Sequence, residues 1–210
     1  RERRGDAVLK YLERVEARRL GPLMELCVLD RMYAARPSGL SALVTTEASE
    51  LLASVLSGRG QAGRYFGDDK GRLGAILTSR DPKQDEPVQW LQFCRKAQEA
   101  AEHAALPKEL AQGLVGAVRE LETNIHEHSG RAHDGLVAFR STATEFEFVV
   151  ADSGAGVLAG LQGTARYAGL IDAGIALKTA LADGQSRLLD VDPGRGFGFH
   201  ELFVNLANLN

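Results

Sequence analysis

The segment from Pro107 to Ser129 constrains the fold most, because its apolar residues recur at the spacing of an amphipathic helix. The period is about 3.6 residues, and the apolar residues that follow it are Leu110, Leu114, Val118, Leu121 and Ile125. Pro107 suits the first helical turn, where its missing N–H costs nothing, and Ser129-Gly130 is a typical C-terminal stop. A helix with one apolar face has to pack on a second layer, so the fold must contain one.

A β-hairpin follows this helix. Residues Leu136 to Ser141 form one predicted strand, and Glu145 to Ala151 form the other. In the second strand, apolar side chains alternate with acidic ones, as in a strand with one buried face. Helices next to a hairpin predict an α/β (α+β) fold, a two-layer sandwich of a mixed sheet and helices.

The first part of the chain has a different character. Residues 1–19 read as a helix that Gly21-Pro22 ends, residues 23–35 are apolar and of uncertain type, and residues 45–56 again look helical. A Gly-rich and charged stretch follows, with a short apolar run at 73–77, and then a polar linker from Asp81 to Pro87. We therefore divide the chain into a mostly helical N-terminal extension, residues 1–81, and a domain at 88–210.

Composition limits the function classes. The chain of 210 residues is 44% hydrophobic and 25% charged, as in globular proteins, and its net charge of −3 argues against a nucleic acid partner. Cys27 and Cys94 have no metal-ligand spacing, and no apolar run reaches the ~18 residues that span a bilayer. Since no secretory signal is visible, we expect a cytoplasmic protein, and the start at Arg1 suggests a missing native start.

Three polar residues form the first candidate site. Glu120, Asn124 and His128 lie four residues apart, which places them on one stripe of the long helix. An amide oxygen such as that of Asn124 is a hard ligand suited to Mg²⁺, and the carboxylate of Glu120 can accept a proton. The spacing alone is equally that of an ordinary polar helix surface.

The sequence ADSGAG forms the second candidate site. Asp152 leaves the predicted strand, and a carboxylate there can accept a hydrogen bond from an exocyclic amine. Gly154 and Gly156 let a flat ring approach the backbone. The alternative is a plain turn that ends a strand.

The sequence GRGFGF at 194–199 forms the third candidate site. Gly194, Arg195, Gly196 and Gly198 precede a predicted helix at 200–209, and such a loop presents backbone N–H groups to phosphates. A flexible connector is the alternative. A Rossmann fingerprint needs a strand directly before the glycines, where this chain has LLDVDP, and no Walker-type sequence is present.

The order of these three sites resembles that of the GHKL superfamily, which includes gyrase, a heat-shock chaperone, histidine kinases and mismatch-repair ATPases. The resemblance covers roughly residues 88–210, and it implies the Bergerat ATP-binding fold. The local sequence ELETNIHEH is similar to the ELxTNAxxH of anti-sigma-factor serine kinases.

That resemblance implies a role for each candidate residue, with ATP and Mg²⁺ as cofactors. Asn124 would ligate Mg²⁺, Glu120 would be the general base, and His128 matches a position that is often His. Asp152 would contact the adenine amine, and the neighbouring glycines, Gly154 and Gly156, would shape the adenine pocket.

Residues 157–193 would then form the ATP lid. The glycines of the third site would wrap the phosphates, with Arg195 neutralising phosphate charge. Two features depart from the family pattern. Glu127 stands where many histidine kinases have Lys. The family fold normally continues with further strands after its last glycine-led helix, whereas this sequence stops at Asn210.

The resemblance leaves three functions open. The first is a protein serine/threonine kinase or anti-sigma-like switch that acts on a protein partner. The second is a non-catalytic, ATP-gated protein-binding module, and the third is an ATPase clamp that forms a homodimer when ATP binds. A complete sensor histidine kinase is disfavoured, because that family carries a phospho-accepting His, followed by an acidic residue, well before the Asn helix. The candidate here, His103, lies too close to Asn124 and lacks an acidic neighbour after it.

Overall fold

The computed structural model describes residues 19–33, 47–57, 62–78, 88–131 and 133–181. Its α-helices in these ranges are α1 (Leu20–Tyr33), α2 (Glu47–Ser57), α3 (Val88–His103), α4 (Lys108–His128), α5 (Gly156–Gln162) and α6 (Ala173–Leu181). Its strands there are β1 (Tyr65–Gly67), β2 (Leu73–Leu77), β3 (Leu136–Ser141) and β4 (Phe146–Ala151), and a 3₁₀ turn spans Ala165–Tyr167.

The strands form one sheet in the order β1-β2-β3-β4, and every pairing within the described ranges is antiparallel. Leu73 lies opposite Arg140 in the β2–β3 pair, and Phe139 lies opposite Phe148 in the β3–β4 pair. The predicted hairpin is confirmed, with its second strand beginning one residue later than expected.

Helices pack on both faces of this sheet, because β2 and β3 carry apolar residues on both. Leu73, Ala75 and Leu77 face α1 and α2, whereas Ile76 faces α3. The same alternation in β3 puts Ala138 on the first face and Phe139 on the second. The predicted α/β class is confirmed, but the described residues form three layers where the sequence predicted two.

The sheet also crosses the predicted boundary between the extension and the domain. Strands β1 and β2 come from residues 65–77, yet β2 pairs along its full length with β3. The division at 81–88 therefore stays a prediction, while one continuous sheet draws strands from both sides of it. The predicted helix at 200–209 lies outside the described residues.

An aromatic cluster fixes α3 on the second face. Trp90 stacks on Phe93 with ring centroids 5.3 Å apart, and Phe93 meets Phe139 edge-on at 5.3 Å. Trp90 is 4% exposed and is therefore a core residue. Tyr65 packs edge-on against Phe93, and burial, reinforced by the negative charges of Asp68 and Glu99, raises the pKa of Tyr65 to about 12.

Glu147 of β4 ties the first helix to the sheet. Its carboxylate accepts hydrogen bonds from the N–H groups of Leu20 at 2.8 Å and Gly21 at 3.4 Å, at the start of α1. Its other oxygen lies 3.1 Å from a guanidinium nitrogen of Arg140. A carboxylate at a helix N-terminus stabilises the unpaired N–H groups found there.

Replacing Glu147 with Gln should lower the free energy of unfolding by about 1–2 kcal/mol, because the charge that meets both the helix start and Arg140 is lost. Denaturant unfolding would measure the change. Glu99→Gln is the matched control: Glu99 makes an exposed pair with Lys96 and should change stability by less than about 0.5 kcal/mol. Equal effects of the two variants would contradict the capping role.

Candidate functional site

Helix α4 carries the first candidate site on its outer side. Its apolar side packs inward through Leu114, Val118 and Ile125, all nearly fully buried. Glu120 is exposed and Asn124 is half-buried. The His128 side chain is 32% exposed, and its Nε2 lies 3.9 Å from Oε2 of Glu127. The stripe therefore remains accessible to a ligand, while the opposite side of the helix holds it on the core.

The second candidate site begins where β4 ends. Asp152 is the first residue after the strand, and it is exposed. One of its carboxylate oxygens, Oδ1, accepts a hydrogen bond from the N–H of Gly154 at 2.7 Å, which is an Asx turn. This turn orders the side chain and leaves the second oxygen available to a ligand.

Two positions in this loop favour glycine, each for a different structural reason. A Cβ on Gly154 would lie 2.4 Å from the carbonyl oxygen of Ser129, so only glycine allows the loop to approach the end of α4 this closely. Gly156 has open space around it but a φ of +77°, which favours glycine. Their predicted part in an adenine pocket stays a prediction.

The loop at 152–156 is thereby seated on the helix that carries the stripe. The N–H of Ala155 donates to the carbonyl of Ser129 at 2.9 Å. Ser129 follows His128 directly and comes five residues after Asn124, about 7.5 Å along the helix axis. The first and second candidate sites thus meet at the C-terminal end of α4.

Further polar residues join these two sites, and the sequence reasoning missed them. Ser153 donates its hydroxyl to Oδ2 of Asp134 at 3.1 Å. The guanidinium of Arg131 lies 3.4 Å from the same carboxylate oxygen, and the N–H of Arg131 donates to the Ser129 hydroxyl at 2.9 Å. The Ser153–Asp134 hydrogen bond joins residues 19 apart in sequence, so no local pattern could have indicated it.

A buried contact between two polar side chains of α4 was also missed. Oε1 of Glu122 lies 2.7 Å from Nε2 of His126, and the two side chains are 2% and 3% exposed. Neither Glu122 nor His126 was among the candidate residues that the sequence indicated. Their spacing of four residues on the inner side of the helix was the available signal.

The third candidate site, with Gly194, Arg195, Gly196 and Gly198, lies outside the described residues. Of the predicted lid, residues 157–181 are described, and they contain most of α5, the 3₁₀ turn and all of α6. Four large apolar side chains in this part are exposed, namely Val157, Ile171, Ile175 and Leu177, at 37%, 88%, 54% and 48%.

Neither a metal-binding group of side chains nor a membrane-spanning helix is present in the described ranges. No group of three or more His, Cys, Asp or Glu residues is arranged there to hold a metal ion. None of the helices described is both long and apolar enough to cross a bilayer.

The family of the chain follows from a match to a known domain. A family model described as Histidine kinase-like ATPase domain matches residues 84–188, half of the chain, and includes α3, α4, the β3–β4 hairpin and the loop at 152–156. The chain belongs to this family, and its predicted place in the GHKL superfamily is confirmed. It is a GHKL-type ATP-binding protein. Neither the curated proteins nor the solved structures gave a match.

Proposed function

We propose that this chain is a cytoplasmic, Mg-ATP-dependent regulatory protein that transfers the γ-phosphoryl group to a Ser or Thr of a protein partner. The observation that carries the proposal is the seating of the loop at 152–156 on the end of α4. That contact holds a strand-end carboxylate near the C-terminal end of α4, the helix whose accessible stripe carries Glu120, Asn124 and His128.

The adenine end of the ligand belongs at Asp152 in this proposal. The carboxylate is exposed, and its Asx turn to Gly154 uses Oδ1 alone. The remaining oxygen accepts a hydrogen bond from the exocyclic amine of adenine. Such a bond to a charged acceptor is stronger than one between neutral groups, so it selects for the amine.

The phosphate end belongs along the stripe of α4. Asn124 supplies a neutral amide oxygen, the kind of hard ligand that Mg²⁺ takes alongside water and phosphate oxygens. When bound, Mg²⁺ would neutralise part of the charge on the phosphates. His128 would belong to the same nucleotide site, and the glycine loop would wrap the phosphates, with Arg195 neutralising part of their charge, as the family resemblance implies.

Glu120 is the proposed general base. Its exposed carboxylate accepts the proton of the partner's hydroxyl group while the hydroxyl oxygen forms a bond to the γ-phosphorus. The bond from the γ-phosphorus to the bridging oxygen breaks, and ADP leaves with that electron pair. The products are ADP and a phosphorylated partner.

A non-catalytic, ATP-gated binding module is the second candidate. The exposed apolar residues of the lid segment favour it, because Ile171 and Ile175 offer a surface that a partner protein can cover. In that case ATP would order the lid, and the closed surface would recruit the partner.

Purified wild-type protein should bind ATP in the presence of Mg²⁺, and calorimetry measures this directly. Incubation with γ-labelled ATP and proteins co-purified with the chain should then label Ser or Thr of one of them. Label released only as free phosphate, with dimerisation on ATP, would favour the ATPase clamp. Binding without turnover would favour the module, and no binding of ATP would contradict all three.

A further inference from the structure

The contacts behind the loop at 152–156 form a small polar network, which we call the Asp134 network and define as Ser129, Arg131, Asp134 and Ser153. Asp134 accepts the hydroxyl of Ser153 at 3.1 Å and lies 3.4 Å from Arg131. Ser129 accepts the N–H of Arg131 on its hydroxyl at 2.9 Å and the N–H of Ala155 on its carbonyl at 2.9 Å.

This network connects three separate parts of the chain. Ser129 ends helix α4, Asp134 belongs to the turn before β3, and Ser153 follows β4. Within the described residues, the only hydrogen bond of the Asp152 side chain is the short-range Asx turn to Gly154. Its position relative to α4 is therefore set by its neighbours, which are held on both sides.

We propose that Asp134 and Ser153 are positioning residues that set where the Asp152 carboxylate stands relative to the helix bearing Asn124. The inference rests on the proposed function, in which Asp152 reads the amine of the base. Ser153 directs its hydroxyl to Asp134, and so its role is to fix the loop. The Ser153–Asp134 hydrogen bond acts together with the close contact of Gly154 on Ser129.

The physical reason is that a loop held at one point can pivot. The glycine contact at Ser129 fixes the distance of the loop from the helix, and the hydrogen bond from Ser153 to Asp134 fixes its rotation. Loss of that hydrogen bond leaves Asp152 intact but spreads its carboxylate over several positions. Recognition of the base amine, which depends on a directional hydrogen bond, should weaken more than binding of the phosphates.

The test compares nucleotide selectivity in Ser153→Ala and Asp134→Ala, each of which removes one partner of the hydrogen bond. Each variant should lose about five- to tenfold in ATP affinity, the loss expected for one partly exposed hydrogen bond. Affinity for inorganic tripolyphosphate should stay within about twofold, and the ratio of ATP to GTP affinity should fall. Ser153→Thr keeps the hydroxyl and should keep the wild-type ratio.

Two controls bracket these variants. Thr144→Ala removes an exposed hydroxyl at the far end of the same hairpin, and Asp69→Asn removes an exposed carboxylate from the β1–β2 turn. Both should leave the ratio unchanged. Thermal unfolding of every variant shows whether a loss of affinity reflects a loss of fold.

The outcomes separate this inference from the proposed function. If Asp152→Asn shifts the ATP to GTP ratio while Ser153→Ala and Asp134→Ala leave it unchanged, the positioning role is overturned and the function stands. Equal losses for ATP and tripolyphosphate in the network variants also overturn it, since they indicate a general structural effect. Wild-type protein that binds no ATP overturns the function, and the inference with it.

Discussion

Replacing Glu120 with Gln should reduce the rate of ATP turnover by about 100-fold or more, with ATP affinity within about threefold of wild type. Gln keeps the size of the side chain but cannot accept a proton. A general base contributes about 10²- to 10⁴-fold to a rate, so its loss should dominate the effect. Glu120 is exposed, and removal of its charge should cost the fold little. Steady-state transfer or phosphate release, alongside calorimetric binding, measures both quantities.

Helix α4 supplies a matched control for that variant. Glu109 is also exposed, and it lies eleven residues earlier on nearly the same side of the helix, about 16 Å from Glu120 along the axis. Glu109→Gln should leave turnover unchanged. If Glu120→Gln and Glu109→Gln have the same rate as wild type, Glu120 is not the general base. If wild-type protein binds ATP and never turns it over, the binding module replaces the kinase.

The sequence predicted those parts of the fold that have a strong local period. Helix α4 follows from apolar residues such as Leu114 and Val118 on one side, and its bounds match the prediction within about a residue at each end. The β3–β4 hairpin follows from the alternation of apolar and polar side chains in β4. Phe146, Phe148 and Val150 all pack against the core between the second face of the sheet and α3. In both elements the local pattern and the tertiary packing agree.

Tertiary packing decided the parts that sequence left open. The apolar run at 73–77 becomes strand β2, because both of its faces are covered by helices that come from distant parts of the chain. Gly21 and Pro22 were expected to end a helix, yet they lie in the first turn of α1. Proline is tolerated there, since the first N–H groups of a helix have no partner within it. The Gly21-Pro22 pair is therefore compatible both with the end of one helix and with the beginning of another.

The residues of the candidate site likewise fall into two groups, those that the sequence indicated and those that only tertiary packing brought together. Glu120, Asn124 and Asp152 were found from spacing and from the position of a strand end. The structure puts the first two on α4 and seats the loop that follows Asp152 on the C-terminal end of that helix. Asp134 and Ser153 could not be found, because their contact joins two loops whose approach is set by the packing of α4 on the sheet. The roles of the predicted residues stay predictions, and the variants of Glu120 and Asp152 test them most directly.

Replacing Asp152 with Asn should lower ATP affinity by about 10- to 100-fold, the range expected when a hydrogen bond to a charged group is lost. The amide oxygen of Asn can still accept the N–H of Gly154, so the Asx turn that Asp152 makes at 2.7 Å should survive. The change is then confined to the second oxygen, which becomes an NH₂ group and meets the adenine amine donor to donor. Isothermal titration with ATP, GTP and tripolyphosphate measures the effect.

Selectivity between bases makes this result specific to the adenine contact. Guanine carries a carbonyl where adenine carries its amine, so a carboxylate repels it and an amide NH₂ can donate to it. GTP affinity should stay level or rise in Asp152→Asn while ATP affinity falls, and tripolyphosphate affinity should not change. Asp69→Asn, an exposed carboxylate in the β1–β2 turn, should alter none of the three. Parallel losses for ATP and GTP would show that Asp152 supports the loop without reading the base, and unchanged ATP affinity would remove it from the nucleotide site.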